Sequence, residues 1–141
     1  MERMQKEAFW GYIPLVLKNG VLGEKGKLAC LDTAANGQID KGKTGEGLIA
    51  LGVFAETRTG DGVKTISIKL FQPIHPWWWN NDAGGGAITA ADIGTVAYIK
   101  DDQTVTAEAT GRSSLGLILA VDAAKGVLVY SPLPFLPAPA E

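Results

Sequence analysis

The chain has 141 residues, of which 46% are hydrophobic, a formal charge of −2 at pH 7 and a single cysteine. This length suits one domain with its own core, and one cysteine excludes an internal disulfide framework. The mildly acidic balance argues against nucleic acid as a partner, because phosphate binding needs a basic patch. No run of the sequence approaches the roughly 20 apolar residues of a membrane span, so no membrane partner is expected either. Eighteen glycines and seven prolines indicate many turns and few long helices.

Residues 1–12 are interpreted as an N-terminal arm. Residues 1–10 could form only a short helix, and an isolated helix of that length is marginal in water. The arm is therefore expected to become ordered only against something else. Phe9, Trp10 and Tyr12 form an aromatic cluster at its end. These rings could close the end of a barrel or contact a partner.

From residue 13 onward, short apolar runs alternate with turn signals such as Asn19-Gly20. Runs of this kind, with β-branched residues at every second position, are typical of half-buried strands. The first set of strands is predicted over 13–17, 26–32, 38–40, 48–56 and 63–70. The second set is predicted over 94–100, 103–108, 115–121 and 127–130.

The two sets of strands repeat one pattern. Each contains a Leu-Gly pair, at Gly52 and Gly116, followed ten positions later by a glycine that opens the next apolar run. A glycine inside a strand indicates a bulge or the close approach of another backbone. The pattern predicts an all-β fold, a small β-barrel or β-sandwich made of two pseudo-repeated meanders over about 22–70 and 90–130.

A single β domain is thus predicted over residues 13–130, flanked by extended N- and C-terminal arms. The C-terminal arm, 131–141, is rich in proline, which cannot join a ladder of backbone hydrogen bonds. The two repeats are joined by a Trp-rich and Gly-rich stretch, 72–89, which is interpreted as a loop. It is long for a plain connection, and such loops are often functional.

Residues 37–44 match the phosphate-binding loop pattern G-x-x-x-x-G-K-[ST] letter for letter. That mechanism needs a helix after the loop, because the helix N-terminus faces the phosphates. Gly45 and Gly47 fall where the helix would begin, and the residues from 48 onward resemble a strand. The preferred interpretation is a coincidental turn, with a nucleotide-binding protein as an alternative.

Three adjacent tryptophans follow His75 and Pro76. Neighbours in an extended chain point to opposite faces, so at least one of the three is expected to be exposed or to contact another molecule. Tryptophan is enriched at interface hot spots, but packing in the chain's own core and stacking on a carbohydrate are alternatives. His75 is interpreted as a packed or interfacial side chain. The predicted partner interface consists of Phe9, Trp10, Tyr12, His75, Trp77, Trp78 and Trp79.

The sequence predicts no catalytic residues, no cofactor and no metal site, so an enzyme is not expected. His75 is the only histidine, which is too few for a zinc site or a nucleophile–histidine pair. Cys30 lies in an apolar alternation and is interpreted as a buried, inert thiol. Residues 84–86 are interpreted as a flexible glycine linker, and Asp101-Asp102 as a solvated turn.

Two runs carry a resemblance to a known family, ITAADIGTVAYIKDDQTV at residues 88–105 and GRSSLG at residues 111–116, the second continuing to Asp122. In these runs the chain resembles the capsid decoration, or cement, proteins of tailed bacteriophages. Residues 26–54 are similar to the N-terminal half of the same family. The resemblance covers roughly residues 22–130, and its motifs are turns and strands, so it transfers no contact residues.

The resemblance implies a structural virion protein, made in the cytoplasm of a bacterial host, that binds the outer surface of an icosahedral capsid. Such proteins commonly form homotrimers at local three-fold positions and stabilise the expanded shell. The implied partners are the major capsid protein and further copies of this chain. The alternatives are a nucleotide-binding protein using residues 37–44 and a carbohydrate-binding module using residues 77–79.

Overall fold

A computed structural model describes residues 11–72 and 75–131. The fold is all-β, as predicted, and these residues form twelve strands and two short 3-10 helices, at Thr33–Ala35 and Ala90–Asp92. Most of both predicted arms lies outside the described residues. The strands are β1 (Tyr12–Val16), β2 (Leu22–Gly23), β3 (Leu28–Asp32), β4 (Gln38–Lys41), β5 (Leu48–Phe54), β6 (Arg58–Thr59), β7 (Thr65–Leu70), β8 (Trp77–Asn81), β9 (Val96–Ile99), β10 (Thr104–Thr106), β11 (Ser114–Asp122) and β12 (Gly126–Tyr130).

The first half of the fold, residues 11–72, contains a five-stranded antiparallel sheet in the order β1-β7-β5-β3-β4. Its two edges meet at a parallel bridge between Leu17 and Ile39, and the Lys18 amide donates to the Ile39 carbonyl at 2.9 Å. The sheet thereby curls around its own apolar interior. The buried residues of this interior are Leu17, Ala29, Ile39, Phe54, Ile66 and Ile68.

The second half, residues 75–131, contains a closed barrel in the order β10-β8-β12-β11-β9. Its one parallel contact joins β8 to β10, and the Asp82 amide donates to the Val105 carbonyl at 3.0 Å. The pairing matches that of the first half strand for strand, with β8, β9, β10, β11 and β12 in the places of β1, β3, β4, β5 and β7. The predicted pseudo-repeat is therefore a duplicated five-stranded unit.

The stretch 72–89 is not wholly a loop, and this part of the prediction is corrected. Residues Trp77–Asn81 form β8, which lies between β10 and β12 in the barrel. Each duplicated unit thus begins earlier than predicted, at β1 and at β8. A run of three tryptophans hides the alternation that marks a strand, and the partner of β8, Val127 to Val129, is distant in sequence.

The two repeated glycines have one geometric role. Gly52 in β5 and Gly116 in β11 each lie beside a shift of register against the neighbouring strand, at Ala29 and Ala97. A Cβ at Gly52 would overlap the carbonyl oxygen of Lys69, and a Cβ at Gly116 would overlap that of Tyr130. Both predicted features, a bulge and a close backbone approach, are confirmed at both positions.

The two halves share one core cluster. Leu28, Cys30 and Val53 of the first half are buried in the same cluster as Trp79 and Leu115 of the second half. Strands β3 and β5 therefore face their own interior on one side and the second half on the other. Hydrogen bonds join the halves from Leu28 N to Asp102 O at 2.8 Å, from Leu48 N to Ser113 Oγ at 3.1 Å, and from Ser113 Oγ to Gly45 O at 2.7 Å.

Candidate partner interface

The seven residues of the predicted interface have separate positions. Phe9 and Trp10 lie outside the described residues. Tyr12 and Trp77 line one cleft, although 64 residues separate them in the sequence. His75 is exposed at the surface.

The three tryptophans of strand β8 lie in two environments, the interior of the barrel and its outer surface. Trp77 and Trp79 pair with the inward-facing Val129 and Val127, whereas Trp78 points outward. Trp79 is only 5% exposed, and its ring packs edge-on against the ring of Phe71, with 6.3 Å between the ring centres. Trp79 therefore belongs to the core. Trp78 is 39% exposed. The prediction that alternation would leave at least one tryptophan exposed is confirmed, and for Trp79 the structure favours the alternative of core packing.

The cleft beside Trp77 has a volume of about 290 Å³ and lies where the two halves meet. Tyr12 on β1, Lys69 on β7 and Val53 on β5 line it together with Lys25, which lies in the turn between β2 and β3. The Lys69 ammonium lies 5.8 Å from the centre of the Trp77 ring, in cation–π geometry. Two lysines and two aromatic residues in one cleft are a combination that suits an acidic or apolar side chain of a protein segment.

The second half also presents an apolar surface, here called the outer face. Leu117 lies directly opposite Val96 on one side and Tyr130 on the other, and Leu128 lies opposite Trp78. Directly opposed residues project on the same side of a sheet, so these side chains form a continuous patch. Val96, Leu117 and Trp78 are exposed, and Leu128 and Tyr130 are half-buried. A contiguous exposed apolar patch is a candidate site for contact with another molecule.

A buried ionic cluster closes the first half where β1 meets β4. The Lys18 ammonium lies 2.8 Å from Asp32 and 3.0 Å from Asp40, and the Lys43 ammonium lies 2.9 Å from Asp40. The hydrogen bond from Lys18 lowers the pKa of Asp32, and the bond to Asp32 raises the pKa of Lys18. Burial works to raise the pKa of Asp40, but hydrogen bonds from Lys43 and Lys18 outweigh it and lower that pKa.

The corresponding position of the second half carries the opposite charges. Asp82, at the end of β8, accepts hydrogen bonds from the Lys100 ammonium at 2.7 Å and the Thr106 hydroxyl at 2.8 Å. The Lys100 bond is the main cause that lowers the pKa of Asp82, aided by the Gly84 amide. Both clusters hold ionised carboxylates on neighbouring lysines, and these contacts stabilise the closure of each half.

The phosphate-loop match adopts a different structure from the one its mechanism needs. Gly37 follows a left-handed Asn36 in a turn, residues Gln38–Lys41 form β4, and Leu48–Phe54 form β5. The Thr44 hydroxyl donates to the Lys100 carbonyl at 2.9 Å, so this segment ties the two halves together. With a strand where a helix is required, the geometry does not favour a nucleotide site.

The remaining candidates have structural roles. Cys30 is fully buried, which confirms that part of its prediction, and burial raises the pKa of its thiol. That the thiol is inert stays a prediction. The Asp101 carboxylate accepts from the Gln103 amide at 3.0 Å within a turn. Gly86 is buried, and a Cβ there would overlap the Thr106 hydroxyl, so the glycine stretch packs against β10 rather than forming a simple linker. Among the described residues no three His, Cys, Asp or Glu side chains group as metal ligands.

Comparisons with models of protein families, with curated proteins and with solved structures find no match. In the part of the chain that the structure describes, no helix is long and apolar enough to cross a membrane.

The sequence did not predict the outer face, the Tyr12–Trp77 cleft or the two ionic clusters. The outer face could have been identified from the sequence at Val96 and Leu117, because these apolar residues occupy outward-facing positions of their strands. The cleft and the clusters depend on pairings that are distant in sequence.

Proposed function

We propose that this protein is a structural virion protein that binds the outer surface of an icosahedral phage capsid as a homotrimer and stabilises the expanded shell. Two runs of sequence, 88–105 and 111–122, support the proposal through their resemblance to capsid decoration proteins. In the structure these runs form the capped turn Ala90–Asp92 and strands β9, β10 and β11. The two runs that resemble the family most therefore belong to the second half, and residues 26–54 add a weaker resemblance in the first.

The observation that carries the proposal is the amount of apolar and aromatic surface available for protein contact. The outer face of the second half presents Trp78, Val96 and Leu117 to solvent. The cleft adds Tyr12 and Trp77 beside two lysines. Apolar and aromatic groups bordered by charged ones are typical of protein interfaces.

Of these two surfaces, the cleft is the better match for the major capsid protein. It is concave, and Lys25 and Lys69 give it positive charge that would attract an acidic segment. It also adjoins Tyr12, where the predicted N-terminal arm ends. Capsid contact in this cleft would place the arm close to the shell surface.

Stabilisation of a shell follows from many small contacts. A protein that binds the assembled capsid but not its dissociated subunits shifts the equilibrium toward the assembled form. Each copy needs only a modest interface, because a trimer engages several capsid subunits at once and multivalent binding multiplies the individual affinities.

The test is co-sedimentation of the purified protein with expanded capsids that lack a decoration protein. We expect saturable binding at a fixed ratio to the capsid protein. Lys69→Glu should weaken binding at least tenfold, because it reverses a cleft charge and removes the cation–π contact with Trp77. Lys64→Glu is the matched control, since Lys64 is exposed near the other end of the same sheet. A folded protein that does not bind, or equal binding by both variants, would contradict the proposal or its site.

A further inference from the structure

Because the two halves are duplicated, the outward side of β3 and β5 in the first half can be compared with that of β9 and β11 in the second. In the first half, Leu28 of β3 lies opposite Val53 of β5, and both point away from their own interior toward the second half. In the second half, Val96 of β9 and Leu117 of β11 take the same places and are also directly opposed. The register shifts at Gly52 and Gly116 fix this equivalence.

The exposure of the equivalent residues differs greatly. Leu28 and Val53 are 1% and 3% exposed, because the second half of the same chain covers them. Val96 and Leu117 are 41% and 39% exposed. The face has kept its apolar character at both positions in the second half, although nothing in the described chain covers it there.

The surface that covers Leu28 and Val53 also has a counterpart. Ile99 and Leu115 of the second half belong to the same core cluster as Leu28 and Val53, and they are fully or almost fully buried. The equivalent residues of the first half, Leu31 and Leu51, are only partly buried against the first interior, as is Ile13. The end of the first half where these three residues lie is here called its open end. Within residues 11–72 and 75–131, one apolar face thus lacks a cover and one open end lacks a cap.

We propose that a second copy of this chain occupies the outer face, with Val96 and Leu117 of one copy packed on the open end of the first half of the next. The contact would repeat between molecules the packing that joins the halves within one molecule. Such a contact is heterologous, since two different surfaces meet, and it closes into a ring or continues as a filament. A ring of three copies would contain six halves joined by six similar contacts.

The inference extends the self-association included in the proposed function, but it can be tested without capsids. Sedimentation velocity of the purified protein should show oligomers whose fraction rises with protein concentration. Leu117→Lys and Val96→Lys should each lower the association constant at least tenfold, because a charge would be buried in the contact. Val63→Lys is the control, because Val63 is also an exposed apolar residue but lies in the turn before β7. It should associate like the wild type.

A mixing experiment tests the heterologous geometry. Ile13→Lys alters the open end, where Ile13 is half-buried against the first interior, and Leu117→Lys alters the outer face. Each variant alone should be monomeric, but an equimolar mixture should form dimers, because one intact contact can still join the two. Far-UV circular dichroism of each variant checks its fold, and if Ile13→Lys does not fold, Leu51→Lys takes its place.

Three outcomes would overturn the inference. They are a wild-type protein that stays monomeric at millimolar concentration, face variants that associate like the wild type, and a mixture that shows no dimer. If the wild type is monomeric and Leu117→Lys instead loses capsid co-sedimentation, the occupant of the outer face is the capsid protein. Loss of capsid binding by all proteins, with self-association intact, would reject the proposed function and leave this inference standing.

Discussion

Lys18 and Asp82 occupy the same place in the two halves but carry opposite charges. The backbone amide of each donates across the parallel closure of its half, from Lys18 to Ile39 and from Asp82 to Val105. Lys18 faces two carboxylates, and Asp82 faces the Lys100 ammonium and the Thr106 hydroxyl. A single buried member of such a cluster is costly without its partner, so each closure depends on the whole set.

Asp82→Asn should lower the melting temperature at pH 7 and lose this effect in acid. The pKa of Asp82 is lower in the folded chain than in the unfolded chain, where an aspartate titrates near about 3.9. The ionised carboxylate therefore stabilises the fold above about pH 4, and its contribution disappears as the pH falls through the folded pKa. Thermal unfolding followed by circular dichroism from neutral pH to about pH 2 measures the difference.

Glu46→Gln is the matched control, since Glu46 is an exposed carboxylate near the turn before β5. It should change the melting temperature little at any pH. A constant difference between Asp82→Asn and the wild type across the whole range would show that the ion pair is not the source of the effect.

At the scale of the elements, the strands were predictable to the extent that their residues alternate. Strand β7 reads Thr-Ile-Ser-Ile-Lys-Leu, and its pattern alone predicts a half-buried strand. Strand β8 reads Trp-Trp-Trp-Asn-Asn and gives no such pattern. Its strand character comes from pairing with β12, a contact that no local rule detects.

Unlike β8, the two strand glycines could be interpreted from the sequence, because the same local backbone constraint occurs twice. Gly52 and Gly116 recur at matching positions, which predicts a backbone constraint. The structure supplies its cause, the carbonyl oxygens of Lys69 and Tyr130.

The candidate interface was less predictable. Aromatic content identified Tyr12 and Trp77, but only the register of the sheets separates exposed Trp78 from buried Trp79.

The two tryptophans should respond differently to truncation. Trp79→Ala should lower the free energy of unfolding by about 3–5 kcal/mol, because it leaves a cavity in the shared core. Trp78→Ala should cost less than about 1 kcal/mol, because its ring lies largely on the surface beside Lys125. Urea denaturation of both variants measures the difference. Equal losses would mean that β8 is rotated relative to the structure.

At the scale of the whole molecule, the duplicated halves should unfold as one unit. Leu28 and Val53 are buried in a core that both halves form, so loss of either half exposes core residues of the other. In the described chain all the tryptophans lie in the second half, whereas circular dichroism reports on both. The urea transitions followed by tryptophan fluorescence and by circular dichroism should therefore have the same midpoint.

Two separate midpoints would show that the contact between the halves is weak. That result would also weaken the comparison on which the self-association inference depends. Ser113→Ala offers a graded version of the test, because the Ser113 hydroxyl bonds both Leu48 and Gly45 across the boundary. It should lower the common midpoint without separating the two signals.

The opposite charges of the two closures should also disfavour one kind of misfolding, the exchange of strands between the halves. A duplicated chain can exchange equivalent strands between its halves, because β1 and β8 fit similar places in similar sheets. With β1 in the place of β8, Lys18 would face the Lys100 ammonium. With β8 in the place of β1, Asp82 would face Asp32 and Asp40. Both exchanges would bury like charges together, so the sign of one side chain in each half should favour each strand in its own half.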